Sequence, residues 1–258
     1  MLLIPEIEKI PKIHQPCGLT IGSFDGVHLG HQTLLKRLRE KLPLNSLLVV
    51  YTFTNHPSHL FAPHAPIPLI CSPLQKVKLL GDYGADMVIF TPFDQQFAKM
   101  PFDKFLELLK QKLCFSHLVL GAGATFGCKR QGKEENVREL ATSLNFEVEY
   151  LPKTHARKKL ISSGLIRTLI QSGAFHEASE CLGRPYSLMG HLNVENGCYN
   201  FPTQGLCLPP DGIYPVRIKT ELKSYLGRAQ ISPRDQKIYL ETIKQNLSLK
   251  NKEIEIVF

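Results

Sequence analysis

The chain has 258 residues, 43% of them apolar and 21% charged, with a formal charge of +8. That length suits one large domain or a medium one with a small companion, and the balance is that of a globular protein rather than a disordered or fibrous one. No stretch is apolar for long enough to span a membrane; Pro5, Glu6 and Glu8 interrupt the apolar core that a signal peptide needs, so a cytoplasmic location is expected. The seven cysteines are scattered, with no CxxC pair, which points away from a disulfide framework or a structural zinc site. The basic residues are dispersed and tryptophan is absent. That favours a small polyanionic ligand over nucleic acid or a membrane surface as partner, although the charge speaks as readily to solubility.

Residues 18–24, GLTIGSF, read as a short buried strand ending in glycine. After DGVHLGH comes HQTLLKRLREKL, in which Leu34, Leu35, Leu38 and Leu42 recur at helical spacing while Lys36, Arg37 and Arg39 take other faces. SLLVVYTF (46–53) is a continuous apolar run of strand length, closed by Asn55, His56 and Pro57. The alternation continues with a helix over 72–80, a strand over 85–92, a strongly periodic helix over 102–113 and a strand over 117–122. A glycine-rich loop (121–132) precedes a helix over 136–145 and a strand over 146–152. Two further helices, 162–173 and 175–183, end at Gly173 and Gly183. Strands alternating with helices predict a doubly wound α/β domain with a parallel sheet for residues 1–185. From 186 to 258 short alternating segments such as GIYPVRIKT, QKIYLETI and KEIEIVF predict a small, mostly-β C-terminal domain.

The sharpest local signal is His28-Leu29-Gly30-His31, between a strand and the start of a helix. Two imidazoles on the first helical turn face the crevice at the carboxyl end of a strand, where open α/β sheets bind ligands. The helix N-terminus adds amide donors and the positive end of its dipole, so phosphate is a natural guest. Gly30 lets a nucleotide approach the backbone, as Gly22 and Gly26 do on the entering turn. Zinc binding is a competing reading, but a third ligand at metal spacing is missing nearby; a pair of surface or capping histidines is another. The second signal is Ile161-Ser162-Ser163-Gly164-Leu165-Ile166-Arg167. Its serines open a helix as caps or phosphate donors, and Arg167 one turn on can offer a planar, permanently charged fork to a phosphate. Alone, that segment is more commonly a capped helix with an arginine on its exposed face; paired with the His28–His31 motif in one α/β domain, it points to phosphate.

GLTIGSFDGVHLGHQTLL, TFTNHP, FDQQFAKMPFDKF, ISSGLIR and LGRPYS follow one another in this order, and together they resemble the bacterial bifunctional riboflavin kinase/FAD synthetases of the nucleotidyltransferase superfamily. The resemblance covers residues 18 to about 190 well. It implies direct transfer of AMP from ATP to FMN, giving FAD and pyrophosphate, with ATP and FMN as substrates and Mg²⁺ accompanying ATP. It also implies that His28 and His31 hydrogen-bond the ATP phosphates in the transition state, that Ser162, Ser163 and Arg167 hold the β- and γ-phosphates, and that Gly22, Phe24, Asp25 and Gly26 form the nucleotide-facing turn. Phe53, His56, Pro57 and Phe126 are the implied flavin-side candidates. No resident metal site is expected.

The sequence also departs from that pattern. Gly121-Ala122-Gly123-Ala124-Thr125-Phe126-Gly127 stands where the family carries G-x-D-F-x-F-G, and Gly164 stands where it carries threonine. In the C-terminal region Phe201-Pro202-Thr203 matches the kinase motif, but Gln204 and Gly205 replace its Ala-Asn, and Lys237 takes the place of the expected glutamate base. A protonated lysine cannot accept a hydroxyl proton, so riboflavin kinase activity is expected to be lost. The sequence ends at Phe258, where the resemblance would place a final helix.

Overall fold

The computed structural model describes residues 1–156, 159–195, 198–232, 234–242 and 253–258. It divides into two compact units, one of residues 1–67 and 77–155, the other of 68–76 and 156–258. In chain order the elements of the first stretch are β1 (Leu2–Ile4), β2 (Cys17–Ile21), α1 (Leu29–Lys41), β3 (Leu47–Phe53), α2 (Ser58–Phe61), α3 (Pro73–Asp82) and β4 (Met87–Thr91). They continue with α4 (Gln95–Ala98), α5 (Phe102–Leu113), β5 (His117–Gly121), α6 (Glu134–Ser143) and β6 (Glu147–Leu151).

The six strands of the first unit form a fully parallel sheet in the order β1-β4-β3-β2-β5-β6. From β2 the chain steps through β3 to β4 on one side, then returns to place β5 and β6 on the other. The order therefore reverses between β2 and β5, and the crevice outside their carboxyl ends is the topological switch point. Every residue of β2 is buried, as is all of β3 beyond Leu47. That is what continuous apolar strands covered on both faces require. Alternation sends Val49 and Tyr51 into one cluster with Phe105, Leu106 and Leu109 of α5. It sends Leu48 and Val50 into the other, with Leu34, Leu35 and Leu38 of α1. Each such buried leucine or phenylalanine contributes about 1.5–3 kcal/mol relative to exposure. Burial raises the Tyr51 phenol well above its ordinary range, and its OH pairs with Thr91 Oγ1 at 2.9 Å.

The second unit holds segment 68–76 and the C-terminal part. After the two-residue strands β7 (His155–Ala156) and β8 (Lys159–Leu160) come α7 (Ser163–Gln171) and α8 (Phe175–Leu182). Next are β9 (Ser187–His191), β10 (Asn193–Glu195), β11 (Cys198–Pro202), β12 (Gly212–Lys219), β13 (Ser224–Ser232), β14 (Lys237–Thr242) and β15 (Glu253–Val257). The last seven form an antiparallel, barrel-like sheet in the order β10-β11-β14-β13-β12-β15-β9. Its interior is filled by Leu188, Phe201, Ile218, Ile231, Ile238, Ile254 and Ile256. The doubly wound α/β sheet with a small β-rich C-terminal part is the architecture read from the sequence. Ser72 and Gln75 fasten segment 68–76 here: Ser72 Oγ donates to Met189 O at 2.7 Å and Gln75 Nε2 to Ser187 O at 3.0 Å.

Candidate functional site

The turn that leaves β2 is held from below. Gly22 N–H donates to Tyr51 O at 3.1 Å, Thr52 Oγ1 donates to Ser23 O at 3.0 Å, and Val27 N–H donates to Phe24 O at 3.1 Å. Phe24 (φ 49°), Gly26 (φ 76°) and Val27 (φ 39°) all take left-handed conformations. For the two non-glycine residues that carries a local strain cost, and both side chains are fully buried in the α1-side core, which offsets it. Phe24 thus supports the turn with its ring in the core. Gln32 Nε2 donates to Val27 O at 2.9 Å and ties the end of the turn to the helix it opens.

His28 is the N-cap residue of α1, yet its side chain does not cap the helix. Its ring instead stacks on that of His31, with centroids 3.7 Å apart and planes 15° from parallel. The Phe24 ring lies beneath, 4.9 Å from His31. His28 is buried and His31 partly so; Asp25 is buried in the same turn. A β-carbon at Gly30 would lie 3.1 Å from His28 Cε1 and 3.7 Å from Thr154 Oγ1. The absent side chain is therefore what lets the imidazole lie across the helix start. The result is a pair of aligned imidazole donors at the positive end of a helix dipole, outside the switch point, which suits a polyphosphate.

Two further loops leave the same edge of the sheet. After β3, Phe53 is buried among Phe93 and Phe97, at 5.2 and 5.1 Å. His56 Nδ1 accepts from Ser58 N–H at 3.1 Å, so the neutral ring carries its proton on Nε2. Pro57 is the N-cap of α2. After β5, Ala124 N–H donates to Gly121 O at 2.9 Å and Gly123 sits at φ 80°, a turn position that an acidic side chain adopts only with strain. Phe126 packs partly against the core, 6.0 Å from Phe105, and its carbonyl accepts from Gly132 N–H.

In the second unit Ser162 is the N-cap of α7, its Oγ accepting from Leu165 N–H at 3.1 Å, with Ser163 as the first helical residue. Arg167 donates through Nε to Pro68 O at 2.7 Å, which fixes the plane of its guanidinium. The sequence-predicted residues Gly22, Phe24, Asp25, Gly26, His28, Gly30, His31, Phe53, His56, Pro57 and Phe126 thus belong to the first unit. Ser162, Ser163 and Arg167 belong to the second. Gln32 and Thr154 were missed by sequence reasoning. Gln32 directly follows His31 and was legible from that placement; Thr154 comes beside Gly30 from 124 residues away and left no local signal. Among the described residues no group of three or more His, Cys, Asp or Glu side chains could hold a metal ion, and no helix is long and apolar enough to cross a membrane.

Residues 10–165 match the model of the FAD synthetase family. A bifunctional riboflavin kinase/FMN adenylyltransferase from Haemophilus influenzae is 34% identical over 230 residues, covering 85% of this chain and 74% of that protein. A protein named FAD synthetase from Listeria monocytogenes is 33% identical over 205 residues, covering 77% and 82%. A solved structure described as a macrolide-efflux protein from Streptococcus pneumoniae superposes with a TM-score of 0.84 at 23% identity, over 99% of this chain and 88% of that one; this likeness concerns the fold alone. With more than half its length matched by the family model, the chain belongs to the FAD synthetase family.

Proposed function

We propose that the protein transfers AMP from ATP to FMN, yielding FAD and pyrophosphate, with the stacked His28–His31 pair at the N-terminus of α1 as its catalytic centre. That pair is the observation that carries the reading. An FMN phosphate oxygen attacks the α-phosphorus of ATP, the bond to the bridging oxygen breaks, and pyrophosphate leaves with the electron pair. The protein positions the reactants and stabilises charge on the transferring group. His28 and His31 donate to phosphate oxygens, and the dipole of α1 acts in the same direction. Gly22, Phe24, Asp25, Gly26 and Gly30 shape the nucleotide-facing turn. Ser162, Ser163 and Arg167 are ligands of the ATP phosphates, Arg167 through its Nη donors while Nε stays on Pro68 O. Phe53, His56, Pro57 and Phe126 serve the flavin. Mg²⁺ enters with ATP, since it is commonly held through substrate phosphates; bound there, it would neutralise phosphate charge. The reaction is placed in the cytoplasm.

Kinase activity toward riboflavin is not part of this reading, because Gln204, Gly205 and Lys237 occupy the motif positions noted above. The test is a turnover assay with ATP, Mg²⁺ and either FMN or riboflavin, products being separated by chromatography. FAD forms from FMN, and His28→Ala or His31→Ala lowers kcat about 10²–10³-fold. Riboflavin gives no product. Undiminished turnover in both histidine variants refutes the assignment of the centre.

A further inference from the structure

One side chain joins the two loops that leave the neighbouring strands β3 and β4. Asn55 Nδ2 donates to Phe93 O at 3.0 Å, and Asn55 Oδ1 accepts from Phe93 N–H at 2.7 Å. Since a backbone N–H only donates and a carbonyl only accepts, these partners fix the orientation of the amide. The pair acts as an extra rung beyond the end of the ladder, where Thr54 N–H donates to Thr91 O at 2.9 Å. The clamped residue belongs to an aromatic cluster: the Phe93 ring lies 5.2 Å from Phe53, 5.6 Å from Phe97 and 5.8 Å from Phe61. Asn55 also directly precedes His56 and Pro57.

We propose that Asn55 is a positioning residue for the phosphate acceptor: by welding the loop after β3 to the loop after β4 it sets the aromatic wall on which the flavin ring of FMN packs. This rests on the FMN-adenylylating reading given above. Two bonds to the N–H and the C=O of one residue make the link rigid against both sliding and twisting, as a single bond would not. Loss of the clamp lets water take the Phe93 peptide, and the two loops then move as separate segments. An ångström of such movement is enough to misplace an acceptor. The effect falls on FMN rather than ATP, because the proposed nucleotide contacts on residues 22–31 are held by other bonds, to Tyr51, Thr52 and Gln32.

The test uses the full chain as wild type, Asn55→Ala and Asn55→Asp. FMN is titrated without ATP and followed by flavin fluorescence; KM for FMN and KM for ATP are measured in the turnover assay; thermal midpoints are recorded. Both substitutions are expected to weaken FMN binding and raise its KM about ten-fold, with KM for ATP within about two-fold of wild type. Asn55→Asp keeps the acceptor for Phe93 N–H but sets a carboxylate oxygen against Phe93 O, so it loses at least as much affinity as Asn55→Ala. A lowered thermal midpoint with unchanged FMN affinity, or equal rises in both KM values, overturns the proposal. If the wild type binds FMN but forms no FAD, the adenylyltransferase reading fails while the fluorescence titration still decides the role of Asn55. If the wild type does not bind FMN, both fall.

Discussion

At position 30 a methyl group would sit 3.1 Å from His28 Cε1 and 3.2 Å from His28 Nδ1, tighter than ordinary packing allows. Alanine within a helix is favoured over glycine by about 1 kcal/mol, and the fold has no other objection at this place, since the next atom, Thr154 Oγ1, is 3.7 Å away. Stability and activity should therefore part company. Gly30→Ala keeps or slightly raises the thermal midpoint, while the His28 ring is pushed off its stack on His31 and kcat falls about ten- to hundred-fold. A parallel loss of thermal midpoint and kcat would mean that the glycine serves the helix and not the histidine. Ser162→Ala is a different case at the same scale. Its hydroxyl caps α7 through Leu165 N–H, so removal costs about 1 kcal/mol and lowers the thermal midpoint by about 2–4 °C, a loss that Ser162→Asn restores.

Among the elements, α1 is fastened to the edge strand β6 by charge as well as by packing. Arg37 Nε lies 3.0 Å from Glu149 Oε1, and Lys41 Nζ 3.4 Å from Glu149 Oε2. Partial burial pushes the Glu149 carboxyl up, but hydrogen bonds and charge from Arg37 and Lys41 outweigh it and hold the group below its ordinary value. A depressed value in the folded state means stabilisation that is present above the unfolded value and lost as pH falls through the folded one. Thermal melts of Glu149→Gln should thus lie below wild type at neutral pH, with a gap that closes as pH drops through the lower carboxylate range. A gap independent of pH would assign the loss to packing. The elements also show what a sequence makes legible. α5 has the expected bounds, since Phe105, Leu106, Leu109 and Leu113 are buried on one face and lysines take the other. The nine-residue β13 was not expected, because its inward positions are Gly227, Ala229 and Ile231 while Leu226 points outward and is exposed, so the period-2 signal is inverted at its start. The histidine pair was legible for the same reason as α5, being local to one strand–helix junction. The grip of Asn55 on Phe93 and the approach of Thr154 to Gly30 are contacts between distant positions, and no local pattern encodes them.

The molecule as a whole cannot be cut into its two units at a single peptide bond. Residues 68–76 lie early in the chain but belong with the C-terminal unit. Leu69 N–H donates to Gly205 O and Cys207 N–H to Leu69 O, both at 2.7 Å, and Gln75 Nε2 reaches Ser187 Oγ at 2.9 Å. Leu69, Ile70 and Cys71 are buried. A fragment ending at residue 185 would retain this segment but lose Ser187, Met189, Gly205 and Cys207, the partners of its polar groups. Buried amides and carbonyls left without partners cost about 1–3 kcal/mol each, and the uncovered side chains add apolar surface to solvent. The 1–185 fragment should therefore bind a hydrophobic dye that the full chain does not, and should melt at a lower temperature with a broader transition. Adding separately produced residues 186–258 should restore part of the melting temperature if the interrupted bonds are the cause. A fragment as cooperative and as dye-free as the full chain would show that segment 68–76 finds sufficient cover within residues 1–185, and that its bonds to Ser187, Gly205 and Cys207 contribute little to stability.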